Sequence, residues 1–273
     1  MARSVRRDRA LQRVAVVAIL LALLFPVAWL FVTAYKPRRD VFAIPPTFIT
    51  GFSLENFAAV GRLFDLPRLV WSSLVISLGS TVLALAMGVP AGYALARLDH
   101  RWSERIGIMF LAVRMVPPVA TLIPYYLLMR DVGLLGTYWA VVLIDAMQSA
   151  AFVVWMMAGY FRAVPRSVEE AALIDGASLG GAFARVALPM ARPGLVASAL
   201  FCILFSWNDF LYPAFLTVFD TKPLSVALLS AYGTQDITWG TMGALAQFAT
   251  LPVVAMALLL NRYFVQGLTR GIH

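Results

Sequence analysis

Apolar positions in this chain gather into long blocks instead of alternating, and polar positions gather between them. Six blocks stand out, at about 14–34, 70–96, 106–129, 137–161, 194–217 and 243–264. A helix needs about 20 mostly apolar residues to cross the roughly 30 Å hydrocarbon layer of a bilayer, and each block is long enough. The pattern predicts an all-α, polytopic membrane protein with six transmembrane helices. Residues 1–13 read as an N-terminal tail and 14–273 as one transmembrane domain. The first block follows an Arg-rich stretch, as a secretory leader does. Its apolar run is longer than the roughly 7–15 residues of a leader's core, and no small-x-small cleavage site follows. No internal repeat or low-complexity stretch interrupts the chain.

Composition removes the soluble alternatives. Of 273 residues, 61% are hydrophobic and 13% charged, with a mean hydropathy of +0.82; soluble domains carry about 25% charged residues. The net charge of +8 comes from 22 basic and 14 acidic residues. These charges flank the apolar blocks, so the partner they fit is anionic lipid headgroups, not nucleic acid. One cysteine, Cys202, excludes a disulfide within the chain, and His100 and His273 stand alone, so no metal site is expected.

Arginine placement sets the orientation, because cytoplasmic loops collect Arg and Lys. Fourteen basic residues fall on the side of the two termini, among them Arg97, Arg101, Arg105, Arg162, Arg166, Arg185 and Arg192. Seven fall on the other side: Lys36, Arg38, Arg39, Arg62, Arg68, Arg130 and Lys222. Both termini and the 162–192 loop are therefore expected in the cytoplasm, with the 35–69 and 218–242 loops outside.

Within the 162–192 loop lies EEAALIDGASLGGAFARVALP, residues 169–189. Ser167 and Glu170 have the spacing of a capping box, which predicts a helix starting near Val168. Val168, Ala171, Ala172 and Leu179 fall on roughly one face at helical spacing. Gly176 interrupts the helix, and Pro189 and Pro193 end the segment. The result is a short helix–turn–helix whose small residues let a partner's backbone approach, or equally an amphipathic connector lying on headgroups. Gly176-Ala-Ser178-Leu-Gly180 also spells G-x-S-x-G, but a hydrolase elbow needs a strand–turn–helix and a histidine in reach; the segment is helical, and His100 sits on another loop.

The spacing Glu170-Ala171-Ala172, Gly176, Val186, Leu188-Pro189 resembles the EAA motif of ABC importer permeases, with Val186 where Ile is usual. "MVPPVATLIPYYLLMRDVGLLGTYWAVVL" from Met115, "FSWNDFLYPAFLT" from Phe205 and "NRYFVQGLTRGIH" from Asn261 resemble the carbohydrate-type, MalG-like branch of that family. The resemblance implies a type I importer permease in the bacterial inner membrane, with a coupling helix in the 162–192 loop. Glu169, Glu170, Ala171, Ala172, Asp175 and Gly176 would contact or position an ATPase, while Leu188 and Pro189 set the exit into the fifth span. It implies two ATP-binding subunits, a second homologous permease, an extracytoplasmic solute-binding protein and a sugar-like solute. ATP and Mg would sit on the partner, with no cofactor and no catalysis in this chain. In keeping with that, neither lysine completes the G-x-x-x-x-G-K-[ST] loop that cradles phosphates.

Two charges fall inside spans. At about 1.5 Å per residue, Arg114 lies roughly 13 Å in from the cytoplasmic end of span three and Asp145 roughly 13 Å in from the outer end of span four. Isolated charges at that depth are costly and face a bundle interior or a wet cavity, so the two are expected to pair. Trp207, Asn208 and Asp209, with Tyr125, Gln148 and Gln247, combine aromatic faces with hydrogen-bonding groups, as sugar sites do; interhelical hydrogen bonding is the equal alternative. Gly88-x-x-x-Gly92 permits close helix contact, and Pro117, Pro118 and Pro124 break or kink span three. Other solutes remain open, such as a glycerophosphodiester, an anionic sugar or a polyol. An ion-coupled secondary transporter would want midplane carboxylates and an inverted repeat; only Asp145 and Asp209 offer the former.

Overall fold

The computed structural model describes residues 2–41, 43–44, 51–98, 100–230 and 239–270. These fall into two compact units. Helices dominate both.

The first unit holds α1 (Ala2–Ala34), α2 (Arg38–Val41), α3 (Glu55–Leu63) and the opening of a long final helix, to Thr250. The helix of α1 already begins within the expected tail. From Val14 to Phe25 its apolar side chains are exposed, Val14 by 68% and Leu21 by 65%, as suits a lipid-facing span. Asn56 on α3 is fully buried and its amide donates to the carbonyls of Ala34 (2.9 Å) and Lys36 (2.8 Å) at the end of α1.

The second unit runs from Pro67 to Ala227 and takes up the rest of the final helix. Its elements are α4 (Leu66–Arg97), α5 (His100–Val113), α6 (Pro118–Asp131), α7 (Tyr138–Arg162), α8 (Arg166–Ile174), α9 (Leu179–Ala182), a π-helical turn (Phe183–Ala187), α10 (Leu188–Met190), α11 (Arg192–Asn208), α12 (Leu211–Leu216) and α13 (Leu224–Ser230); α14 (Trp239–Arg270) closes the chain. The center of this unit is α7, which buries Val141, Ile144, Val153, Met157 and Phe161 completely. Against it lies α4, and the glycines decide how close: a Cβ on Gly88 would sit 2.6 Å from Val153 Cβ, and one on Gly92 would sit 2.9 Å from Met157 Cβ. The Gly-x-x-x-Gly pattern is thus used for backbone approach.

Among the described residues, four helices are by themselves long and apolar enough to cross a bilayer: Gln12–Ala34, Leu66–Arg97, Tyr138–Arg162 and Trp239–Met256. The number reaches six if each of two sharply bent pairs is one span. The expected third span is such a pair, α5 and α6, bent by 79°. Pro117 and Pro118 explain the break, since the residue before a proline avoids the α region and proline favors the first turn of a new helix. The expected fifth span, 194–217, is not one helix either. It breaks after Asn208, where Asp209 is extended (ψ 130°) and its Oδ1 accepts from the Leu211 N–H at 3.1 Å. Pro213 cannot donate to the Asp209 carbonyl, which accepts from the Ser225 hydroxyl instead (2.7 Å). The second bent pair joins Leu179–Met190 to α11 at 77°.

Candidate functional site

The 162–192 loop folds differently from its capping-box reading. α8 begins at Arg166 with Pro165 as N-cap, and no side chain caps it. Glu170 is therefore not a capping residue: Pro165 already fixes the entering backbone, which leaves the Glu170 carboxylate exposed. The C-terminal end follows the sequence expectation. Gly176 has φ +89°, the Gly176 N–H donates to Leu173 O (3.1 Å) and the Ala177 N–H to Ala172 O (3.0 Å). This is a Schellman ending, which needs a left-handed residue after the helix. A Cβ on Gly176 would meet nothing within 4 Å, so glycine is required for its backbone and not for room. Ser178 then caps α9, its Oγ accepting from the Gly181 N–H at 3.1 Å. The G-x-S-x-G string is thus a helix stop followed by a helix start. Beyond it, the Leu188 N–H reaches five residues back to Phe183 O, a widened turn placed just ahead of Pro189, whose ring would crowd a regular helix.

The loop has two faces. Glu170, Ala171, Asp175, Gly176 and Pro189 are exposed; Ala172 and Leu188 are half-buried. Of the face predicted by spacing, Val168 (41%), Ala171 and Leu179 (74%) are exposed and Ala172 is half-buried; Ile174 (86%), which lies off that face, is bare as well. Glu169 points the other way. It is 7% exposed and its carboxylate accepts from Tyr93 Oη (2.8 Å) and Arg97 Nε (3.1 Å), with a further ion-pair contact to Arg97 Nη2. Burial alone would raise its carboxyl, but the hydrogen bonds from Arg97 and Tyr93 and the charges of Arg97 and Arg166 hold it below the usual carboxylate range. Sequence reading grouped Glu169 with its exposed neighbors; nothing in the string marks Tyr93 and Arg97, over 70 residues away, as its partners.

Within the second unit, a cavity of about 140 Å³ is lined by Arg114, Pro118, Asp145, Gln148, Ser149, Phe205, Ser206, Asp209 and Tyr212. Four of the expected residues meet here: Arg114, Asp145, Gln148 and Asp209. The expected Arg114–Asp145 ion pair does not form. Asp145 Oδ2 accepts from Ser206 Oγ at 2.5 Å, and the Arg114 guanidinium lies over the Phe205 ring at 4.1 Å. Counting along two spans matched both charges to one level, and both line the one cavity, but the bend at 114–117 and the side chains of α11 choose their neighbors. Asp209 Oδ2 is buried with no hydrogen-bond partner. The other expected pathway residues lie elsewhere. Trp207 is buried, Asn208 bonds back to Leu204 O in its own helix (2.7 Å), and Tyr125 packs edge-on against Tyr212. Gln247 belongs to the first unit, where Tyr35 Oη donates to its Oε1 at 3.1 Å and its Nε2 donates to Phe31 O at 3.3 Å. Ser149 and Ser206 carry no signal in the sequence, since small hydroxyls are routine in membrane helices.

The sequence pattern of the family described as "Binding-protein-dependent transport system inner membrane component" matches residues 88–270, from the close packing of α4 through the 162–192 loop to α14. The chain belongs to this family. It is 32% identical to a probable ABC transporter permease protein, y4oR, of Sinorhizobium fredii, over 91% of this chain and 89% of that protein. It is 29% identical to the trehalose/maltose transport system permease protein MalG of Thermococcus litoralis, over 97% and 98%. A solved bacterial ABC transporter that imports the acidic polysaccharide alginate shares the fold, with a TM-score of 0.80 at 24% identity over 96% of this chain and 98% of that one. This permease is thus a multi-pass membrane component of an ABC transport system, and the catalytic readings of its serine fall away.

Proposed function

We propose that this chain forms half of the translocation pathway of an ATP-driven importer for a sugar or sugar derivative, docking its ATPase through the 162–192 loop. The observation that carries this is three bare apolar side chains around the loop, Val168, Ile174 and Leu179, beside exposed Glu170, Ala171 and Gly176. A small-residue turn with bare hydrophobics at its rim suits a groove on another protein. The loop transmits free energy because it interacts differently with the open and closed states of that partner. Two ATP-binding subunits hold the ATP and Mg, this chain holding no cofactor; a second permease of the same family completes the pathway, and an external binding protein delivers the solute. Both termini and the loop face the cytoplasm of a bacterial inner membrane.

The carbohydrate assignment draws on the trehalose and maltose relative and on the cavity, where Gln148, Asp209 and Tyr212 offer the acceptors and donors that hydroxyls need. The free guanidinium of Arg114, which has no ion-pair partner among the described residues, favors a second reading in which the solute carries a carboxylate or phosphate.

The test is co-purification in detergent with its candidate ATP-binding subunit, comparing the natural chain with Gly176→Ala and Gly176→Trp. Both variants meet the left-handed penalty of about 1–2 kcal/mol, and neither meets an atom of this chain within 4 Å of the Cβ. Only the tryptophan adds bulk to the proposed docking face. Loss of the ATPase in Gly176→Trp but not in Gly176→Ala is expected. Equal retention in both would overturn the docking assignment.

A further inference from the structure

α8 is continuous in chain with α7, through three residues, and with α11, through the stretch that holds Gly176 and the π turn. It has no such connection to α4, because α5, α6 and α7 intervene. Side chains make the connection instead. The Glu169 carboxylate on α8 takes Arg97 and Tyr93, both from the last turns of α4. The same guanidinium donates from Nη1 to Phe161 O at the end of α7 (3.0 Å), and Arg166 Nη2 on α8 donates to Arg97 O (3.1 Å). The ion pair is enclosed, its side chains 19% and 9% exposed, and Tyr93 packs across Phe161 and Phe183. About one and a half and two and a half turns back along α4 from Arg97, Gly92 and Gly88 press α4 against α7 with no room for a methyl.

We propose that Arg97 is the positioning residue that couples the loop to α4: through its pair with Glu169 it makes α4, α7 and α8 move as one body when the ATPase shifts the loop. This rests on the docking assignment made above. An exposed ion pair could not do this, since it holds little free energy and its side chains reorient freely. An enclosed one, with its hydrogen bonds filled from three helices, resists separation because parting it would strand buried charge. Breaking the pair leaves the loop attached to α7 and α11 and removes its ion-pair link to α4, so that only the hydrogen bond from Arg166 to the Arg97 carbonyl still ties α8 to α4 directly.

The experiment uses the assembled importer in lipid nanodiscs, with Cys202→Ser to remove the native thiol. A bimane label is placed at Leu78→Cys, on the exposed side of α4, and in a second sample at Ile203→Cys, half-buried on α11 and outside the cavity lining. Fluorescence is read without nucleotide and with ATP plus vanadate. In the natural background both labels respond. In Glu169→Gln the α4 response is expected to be largely lost while the α11 response and the bound ATPase persist, and the exchanged pair Arg97→Glu with Glu169→Arg restores it. An unchanged α4 response in Glu169→Gln overturns the proposal. So does loss of both responses together with the ATPase, which would make the pair a support for the docking face alone. If the natural chain itself retains no ATPase, the docking assignment is what fails.

Discussion

Adding one methyl group at each of two helical glycines should move stability in opposite directions. On Gly88 a Cβ would lie 2.6 Å from Val153 Cβ, 2.7 Å from its Cγ1 and 3.1 Å from Ala150 O, against an ordinary contact of at least 3.4 Å. A backbone oxygen and a Cβ cannot rotate aside, so α4 and α7 must part by about 0.8 Å. Overpacking of this kind costs about 1–3 kcal/mol, and an immovable neighbor puts it at the upper end. Alanine recovers about 1 kcal/mol over glycine inside a helix, leaving a net loss of about 2 kcal/mol, or roughly 4–8 °C in Tm for a chain of this size. On Gly159, in α7, a Cβ meets nothing within 4 Å, so the same change should gain up to about 1 kcal/mol. Thermal unfolding in detergent, followed by size-exclusion fluorescence, reads both. A double-mutant cycle sharpens the result: Val153→Gly removes the colliding Cβ and should rescue Gly88→Ala, whereas Val153→Ala leaves it in place and should rescue much less. If Gly88→Ala and Gly159→Ala shift Tm in the same direction, or if both Val153 variants rescue equally, the close-packing account is wrong.

The Glu169 ion pair gives a pH dependence. Because the folded carboxyl lies below its ordinary range, its stabilization is complete above that range and is lost as pH falls through the lowered folded value. Amide protection factors across α8, taken relative to the intrinsic exchange rate at each pH, should therefore fall on acidification in the natural chain and stay flat in Glu169→Gln; parallel profiles would show that the pair contributes nothing. In the cavity, Ser206→Ala strands the buried Asp145 Oδ2 without its donor, which should cost about 1–3 kcal/mol. Ser206→Thr keeps the hydroxyl and should unfold close to the natural temperature, and a Ser206→Ala chain as stable as the natural one would show that the bond is not needed.

Much of this protein is local in origin and could be read from the string. Block lengths pointed to membrane-crossing helices, and four of the six blocks are single helices long and apolar enough to cross, because the bilayer's thickness acts on each stretch separately. Pro117 and Pro118 announced the break of the third span, and Gly176 announced the left-handed turn, since both act through the dihedrals of one or two residues. The spacing from Glu170 to Pro189 carried the family. Other features escaped because they depend on which helix end lies beside which. The capping box at Ser167 had correct spacing, yet Pro165 had already set the helix start. Glu169 and Glu170 are adjacent and chemically equivalent, but a 100° step around α8 turns one toward Arg97 and leaves the other in solvent.

The sequence by itself determined that the chain crosses a membrane as helices, where its loop turns, and to which family it belongs, because these follow from composition, dihedral preference and spacing along one segment. Only the tertiary structure decided that Glu169 is an internal strut, that Arg114 rests on Phe205 while Asp145 takes Ser206, and that Gln247 serves Tyr35 and Phe31 instead of the cavity. Each of these is a choice of neighbor between distant residues. A charged or amide group in a low-dielectric interior must be satisfied by whatever the packed helices bring within about 3 Å, and that is set by helix crossings and breaks that no local pattern encodes.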